Sequence, residues 1–165
     1  MSIIIANVMR IIGSLFGMIS DSNNDIKKMS IYNGISNLFC AVQYFLLGAI
    51  TGGISRIVSI LRNYLFYKYK NQVSTVALIL YFTFLILINY TSITSLMTFI
   101  PVLLVIVYTI GLYSSNKIVL KYSILITCVL EIIYDMHYQA YAGVFFCALD
   151  AILVLISLEK IYKKS

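Results

Sequence analysis

A chain of 165 residues that is 61% hydrophobic and 11% charged, with one proline and no tryptophan, is not a soluble globular domain, which is nearer half apolar and a quarter charged. The net charge of +6 would suggest a nucleic-acid partner in a soluble protein. Here the basic residues stand between apolar runs, where they set orientation in a bilayer, so the expected partner is lipid and not nucleic acid.

A helix needs about 20 apolar residues to cross the hydrocarbon core, with roughly 17 as the short limit. The first such run covers residues 3–19 and contains Arg10. It lacks a basic leading region, so it reads as a span and not as a cleaved signal. The longest polar connection, "SDSNNDIKK" from Ser20 to Lys28, leads into a second span at 29–48. "ITGGIS" (Ile50 to Ser55) follows and predicts a tight turn at Gly52 and Gly53 that lets helices approach closely; no Walker-type lysine comes after it.

The third span, 52–68, holds Arg56, Arg62 and Asn63. At 100° per residue, Gly52, Ser55, Arg56, Ser59, Arg62, Asn63 and Tyr67 fall on one arc, while Ile54, Ile57, Val58, Leu61, Tyr64 and Leu65 take the rest. Phe66 is the exception, an apolar residue among the polar set. A fourth span covers 74–90 and a fifth 94–113, with Pro101 inside it. Asn89-Tyr90-Thr91 matches a glycosylation acceptor, a pattern too short to carry weight. The sixth span, 118–137, places Glu131 and Asp135 four residues apart, on one face with Thr127, Tyr134 and Tyr138. His137 stands at the outer end of that span as an interfacial histidine, with Tyr138 and Tyr141 beside it in an aromatic belt, and no neighbouring His or Cys cluster suggests a metal site. The seventh span, 141–159, carries Gly143 and Asp150. Cys40, Cys128 and Cys147 lie inside apolar runs without metal-like spacing, so no metal, disulfide framework or cofactor is expected.

Nine of the twelve Lys and Arg lie at loops or ends: Lys27, Lys28, Lys68, Lys70, Lys117, Lys121, Lys160, Lys163 and Lys164. With seven spans, all nine fall on one side of the membrane. Positive charge concentrates in cytoplasmic loops, so the N-terminus is expected outside and the C-terminus inside. Short loops make neighbouring helices antiparallel. The expected fold is therefore all-α and polytopic, one transmembrane domain over residues 1–165.

At an offset of 90 residues, Tyr32, Tyr44 and Gly53 fall on Tyr122, Tyr134 and Gly143, and Lys70 falls on Lys160. Gly17 and Gly111 mark comparable points if the first copy has four extra loop residues. This predicts two parallel three-helix repeats, about 1–70 and 93–165, joined by a linker helix at about 71–92. "YFLLGAITGGISRIVSILRNYLFYK", the preceding "DIKKMSIYNGI" and the later "IPVLLVIVYTIGLY" resemble the bacterial inner-membrane proteins of the YgjV type. That resemblance implies residence in the inner membrane. It is strongest from Asp25 to Lys70; near Tyr134-Asp135 the family pattern instead tends to His-Asn after an aromatic residue. The three-plus-one-plus-three plan is also similar to the SWEET sugar transporters and their PQ-loop relatives, whose hinge prolines Pro101 resembles. Those units often assemble, which leaves a homo-oligomer open.

Six charged residues fall within the spans, Arg10, Arg56 and Arg62 against Glu131, Asp135 and Asp150. A charge at mid-bilayer costs roughly 2.5–3.5 kcal/mol on insertion scales, so these are expected to face a protein interior and balance one another. Depth pairs Arg56 with the two acids of the sixth span and Arg10 with Asp150; Arg62 is expected to snorkel toward the lysine-bearing end. The expected substrate-binding set is Arg56, Ser59, Asn63, Glu131, Tyr134, Asp135 and Asp150, with Arg10 and Arg62 as structural charges and Pro101, Gly53 and Gly143 as hinges. No nucleophile–base set is recognisable, so an enzyme is not expected. Two functions remain: a small-solute transporter, or a non-transporting protein whose intramembrane charges fix helix packing or partner assembly.

Overall fold

Short polar side chains begin four of the helices by accepting from backbone N–H groups that have no intrahelical partner. Asp25 accepts from the amide of Lys27, Ser74 from Val76, and Asn116 from Ile118. Ser95 and Thr98 form a reciprocal capping box. A computed structural model describes residues 2–23, 25–69, 73–91, 93–114 and 116–163. It contains α1 (Ser2–Ser22), α2 (Ile26–Leu46), α3 (Ile50–Tyr69), α4 (Thr75–Asn89), α5 (Leu96–Tyr113), α6 (Lys117–His137) and α7 (Tyr141–Tyr162). No strand occurs among the described residues.

The chain reverses between α2 and α3 at Gly48, whose φ of 74° suits glycine. Gly52 and Gly53 lie inside the first turn of α3, so the turn expected there is displaced toward the N-terminus. Both still permit close approach. A Cβ on Gly52 would stand 2.7 Å from the Tyr134 hydroxyl oxygen, and one on Gly53 would stand 2.6 Å from the Phe45 ring. The reversal between α6 and α7 reproduces the same backbone ladder. Leu47→Gln43, Gly48→Phe45 and Ala49→Tyr44 are matched by Tyr138→Tyr134, Gln139→Met136 and Ala140→Asp135. Gln139, with φ 57°, takes the place of Gly48. These pairs sit one residue beyond the 90-residue offset read from the sequence.

Helices α1, α2 and α3 pack in chain order, as do α5, α6 and α7, and the contacts α1–α7 and α3–α5 close them into a ring. Helix α4 lies against α3 and α5. Its Leu78 joins Met29, Phe66, Val73 and Leu112, and its Tyr81 and Leu85 join Val58, Val102 and Val105. Phe66, the apolar exception on the polar arc of α3, is thus a buried anchor for α4.

Polarity is inverted relative to a water-soluble bundle. Arg10, Gln43, Ser59, Arg62, Asn63 and Asp135 are buried, whereas Ile4, Leu38, Leu61, Leu80, Leu87, Val129 and Phe145 are exposed. Exposed apolar surface on this scale suits a hydrocarbon solvent. Helices α1, α5 and α7 are long and apolar enough to cross a membrane by length and composition, and α4 is a shorter apolar helix. Lys27, Lys28, Lys68 and Lys163 are exposed at the end of the bundle bearing the C-terminus. Lys70 and Lys164 lie outside the described residues, as do the side chains of Lys117 and Lys160.

A polar cavity inside the helix ring

Because the polar arcs of α3 and α6 turn inward, they enclose space with α1, α2, α5 and α7. The cavity has a volume of about 90 Å³ and is lined by all six helices of the ring, with no residue from α4. That is room for several waters, well below the several hundred Å³ of a drug-sized ligand site.

Toward the N-terminal end Arg10, Arg56 and Glu131 form its wall, with Asp135 behind them. Arg10 of α1 bonds Glu131 Oε1 at 2.7 Å and lies 3.5 Å from Asp135 Oδ2. Its guanidinium also donates to Cys40 Sγ at 3.1 Å and Cys147 Sγ at 3.2 Å. Arg56 of α3 pairs with the same Glu131 oxygen and donates to Asn37 Oδ1 at 3.2 Å. Tyr44 donates to Asp135 Oδ1 at 2.8 Å, and its ring meets Tyr134 edge-on. The two acids of α6, four residues apart, are therefore held together by two arginines from the opposite side of the ring. Such a cluster satisfies the requirement that buried charge be paired and hydrogen-bonded.

Ligand atoms of Glu131, Asp135 and Cys147 lie within 4.8 Å of one another; the two acids share a helix face by their spacing, whereas Cys147 is brought to them from the next helix. A metal would suit three such atoms, but Arg10 contacts all of them. The cation at this point is the guanidinium.

The opposite half is built differently. Arg62 is only 3% exposed, so it does not snorkel. Its Nη2 donates to Asn33 Oδ1 at 2.9 Å, its Nε to Asn63 Oδ1 at 3.2 Å, and it lies 4.6 Å over the Tyr108 ring. Tyr108 donates to Asp21 at 3.4 Å, and the Lys121 ammonium reaches the Asp21 carbonyl at 2.9 Å. Asp150 faces the cavity from α7 with no hydrogen bond or ion pair among the described residues. The expected Arg10–Asp150 pair does not form, because the α6 acids lie nearer to the guanidinium.

Of the expected binding residues, Arg56, Ser59, Glu131, Tyr134 and Asp150 line the cavity. Asn63 and Asp135 stand behind its wall, bonded to Arg62 and Tyr44 respectively. Arg10 and Arg62, read as structural charges, also line it, as does Pro101. Gly143 lies against the Asp135 carboxylate, where a Cβ would collide with it; its observed part is close packing. Gly53 is likewise packed, against Phe45. Asp21, Asn33, Tyr44 and Tyr108 were not foreseen. The signal for Asp21 was its position two residues past the apolar run, since α1 continues to Ser22.

Comparison with curated proteins and with solved structures returns no match to this chain, and a likeness to SWEET and PQ-loop transporters is not shown. The family model Imp-YgjV, described as bacterial inner membrane protein, matches residues 4–165. A hydrocarbon-facing exterior, an ionic interior and that match over nearly the whole chain lead to one conclusion: the chain belongs to the Imp-YgjV family of bacterial inner-membrane proteins.

Proposed function

We propose that the protein is a small-solute transporter or facilitator in which all seven helices span the membrane and two parallel three-helix units, α1–α3 and α5–α7, rock about the cavity between them. The observation that carries this reading is a polar cavity shared by six helices and bounded at both ends by bonds that cross from one unit to the other. Toward the N-terminal end these are Arg10–Glu131, Arg56–Glu131 and Tyr44–Asp135. Toward the other end they are Tyr108–Asp21 and Lys121–Asp21. Opening one set while keeping the other would expose the cavity to one side at a time, as alternating access between repeats requires.

The repeat is supported by more than the offset. The ring contacts α1–α7 and α3–α5 exchange under the swap of units. The two reversals share one hydrogen-bond ladder, and Gly52 against Tyr44 has its counterpart in Gly143 against Asp135. Helix α4 then serves as the linker that restores direction. The lysine-bearing end supports an outside N-terminus and a cytoplasmic C-terminus. The rival, a non-transporting protein whose charges fix helix packing or partner assembly, calls for these faces to be packed dry or covered by a partner. The pairing of Arg10, Arg56, Glu131 and Asp135 within the chain suits the packing form of that rival, and the polar cavity beside them favours transport.

The test is flux into proteoliposomes against a panel of sugars, amino acids and vitamins. Saturable uptake is expected, and Arg56→Ala and Glu131→Gln should reduce it at least tenfold while the protein stays monodisperse. If folded protein moves no class of solute above protein-free vesicles, the transport reading fails.

A further inference from the structure

The charges that face the ring interior do not all find partners. Arg10 and Arg56 are engaged by Glu131 and Asp135. Asp21 holds the Tyr108 hydroxyl on its carboxylate and the Lys121 ammonium on its carbonyl. Among the described residues Asp21 has no ion pair on its carboxylate, but a cation is bonded to its own backbone; Arg62 on α3 and Asp150 on α7 have neither an ion pair nor an opposite charge on their backbone, and both line the same cavity. Among the described residues Arg62 has amide and aromatic partners and no acid. Its Nε and Nη2 are taken by Asn63 and Asn33, and its Nη1 makes no hydrogen bond among the described residues. Asp150 has neither ion pair nor hydrogen bond among those residues.

We propose that the cavity binds a small zwitterion, a solute carrying both a carboxylate and an ammonium group, with its carboxylate on Arg62 and its ammonium on Asp150. The inference rests on reading this cavity as the solute site, and it names the substrate class. A buried charge without a counter-charge is costly, and a guanidinium edge is shaped for a carboxylate. A simple anion would satisfy Arg62 but add repulsion with Asp150. A simple cation would do the reverse. A solute bearing both signs satisfies each group and leaves the local charge balanced. Tyr108, stacked beneath Arg62, offers an apolar ring for the methylene carbons between the two ends. The volume of about 90 Å³ limits the solute to a few heavy atoms in this conformation.

The experiment is calorimetric titration of the full-length protein in nanodiscs with glycine, β-alanine and 4-aminobutyrate, and with propionate and ethylamine as single-charge controls. At least one zwitterion should bind roughly tenfold or more tightly than either control, the scale of a lost charged hydrogen bond. Asp150→Asn breaks no bond among the described residues, so the variant should remain monodisperse. It should bring the zwitterion down to the affinity of propionate. Arg62→Lys, which keeps the charge but not the fork, should weaken zwitterion and propionate together. Equal affinities for zwitterions and controls, no zwitterion binding at all, or an unaffected Asp150→Asn would overturn the proposal. If the same preparation transports a sugar or vitamin but ignores zwitterions, this inference falls and the transport reading stands. If zwitterions bind without flux in vesicles, the site stands and the transport reading falls.

Discussion

Glu131 accepts from two guanidinium groups, one from each side of the α2 wall, and this sharing makes it the most sensitive residue of the cluster. Replacing it with glutamine leaves Arg10 and Arg56 facing Asp135 alone. Breaking one partner out of a buried ionic set costs about 3–5 kcal/mol. Glu131→Gln should therefore lower the midpoint of thermal or denaturant unfolding in detergent strongly. Adding Arg56→Gln removes the surplus positive charge and should restore part of the loss. Additive damage in the double variant would mean that Arg56 and Glu131 are not coupled. At this scale the sequence was informative about residue type and face. Two acids at helical spacing and three arginines announced a buried ionic interior. The specific partners were illegible, because depth along a span constrains position in one dimension, whereas Arg10 chose Glu131 through the rotation and spacing of three helices.

Among the elements, α6 and α7 are joined by the most demanding packing. Gly143 of α7 is pressed against the Asp135 carboxylate of α6, with Arg10 Nε also nearby. Gly143→Ala would push that carboxylate off Tyr44 and Arg10, and overpacking of this kind costs about 1–3 kcal/mol. A clear fall in melting temperature is expected, against little change for Gly34→Ala, whose Cβ would meet only ordinary contacts at 3.9 Å and beyond. Equal melting temperatures for the two would show that Asp135 can move freely. Element boundaries were legible to within a few residues, since the apolar runs and the caps at Asp25, Ser74 and Asn116 coincide. The α2–α3 turn was misplaced because a glycine pair is the stronger sequence signal, while the positive φ needed only the single glycine before it. Gln139 in the matching turn carried no signal of that kind.

For the molecule as a whole, the decisive arrangement is an ionic interior inside an apolar shell, with lysines gathered at one end. If the N-terminus is outside, Gln139→Cys should react with a membrane-impermeant maleimide added to intact cells, and Asp25→Cys only after permeabilisation. The native cysteines are all buried, which keeps the background low. The reverse pattern would invert the topology proposed here. Composition revealed the shell, and the positions of the lysines between the apolar runs revealed the asymmetry of charge. Ring closure through α1–α7 and α3–α5 was not visible, since no periodicity within one helix records which distant helix covers it.

Helix α4 has 15 residues, about 22 Å of length against a hydrocarbon thickness near 30 Å, and its Val76, Ile79, Leu80 and Leu87 are exposed. If α4 spans the bilayer as proposed, lipid beside this wall must compress to meet it, at a cost of fractions of a kcal/mol per Å of mismatch. Lengthening the acyl chains widens this mismatch and should accordingly lower the melting temperature, a dependence that differential calorimetry across a lipid series would read directly. Its most comfortable neighbourhood is a pinched bilayer, thinned on one flank only.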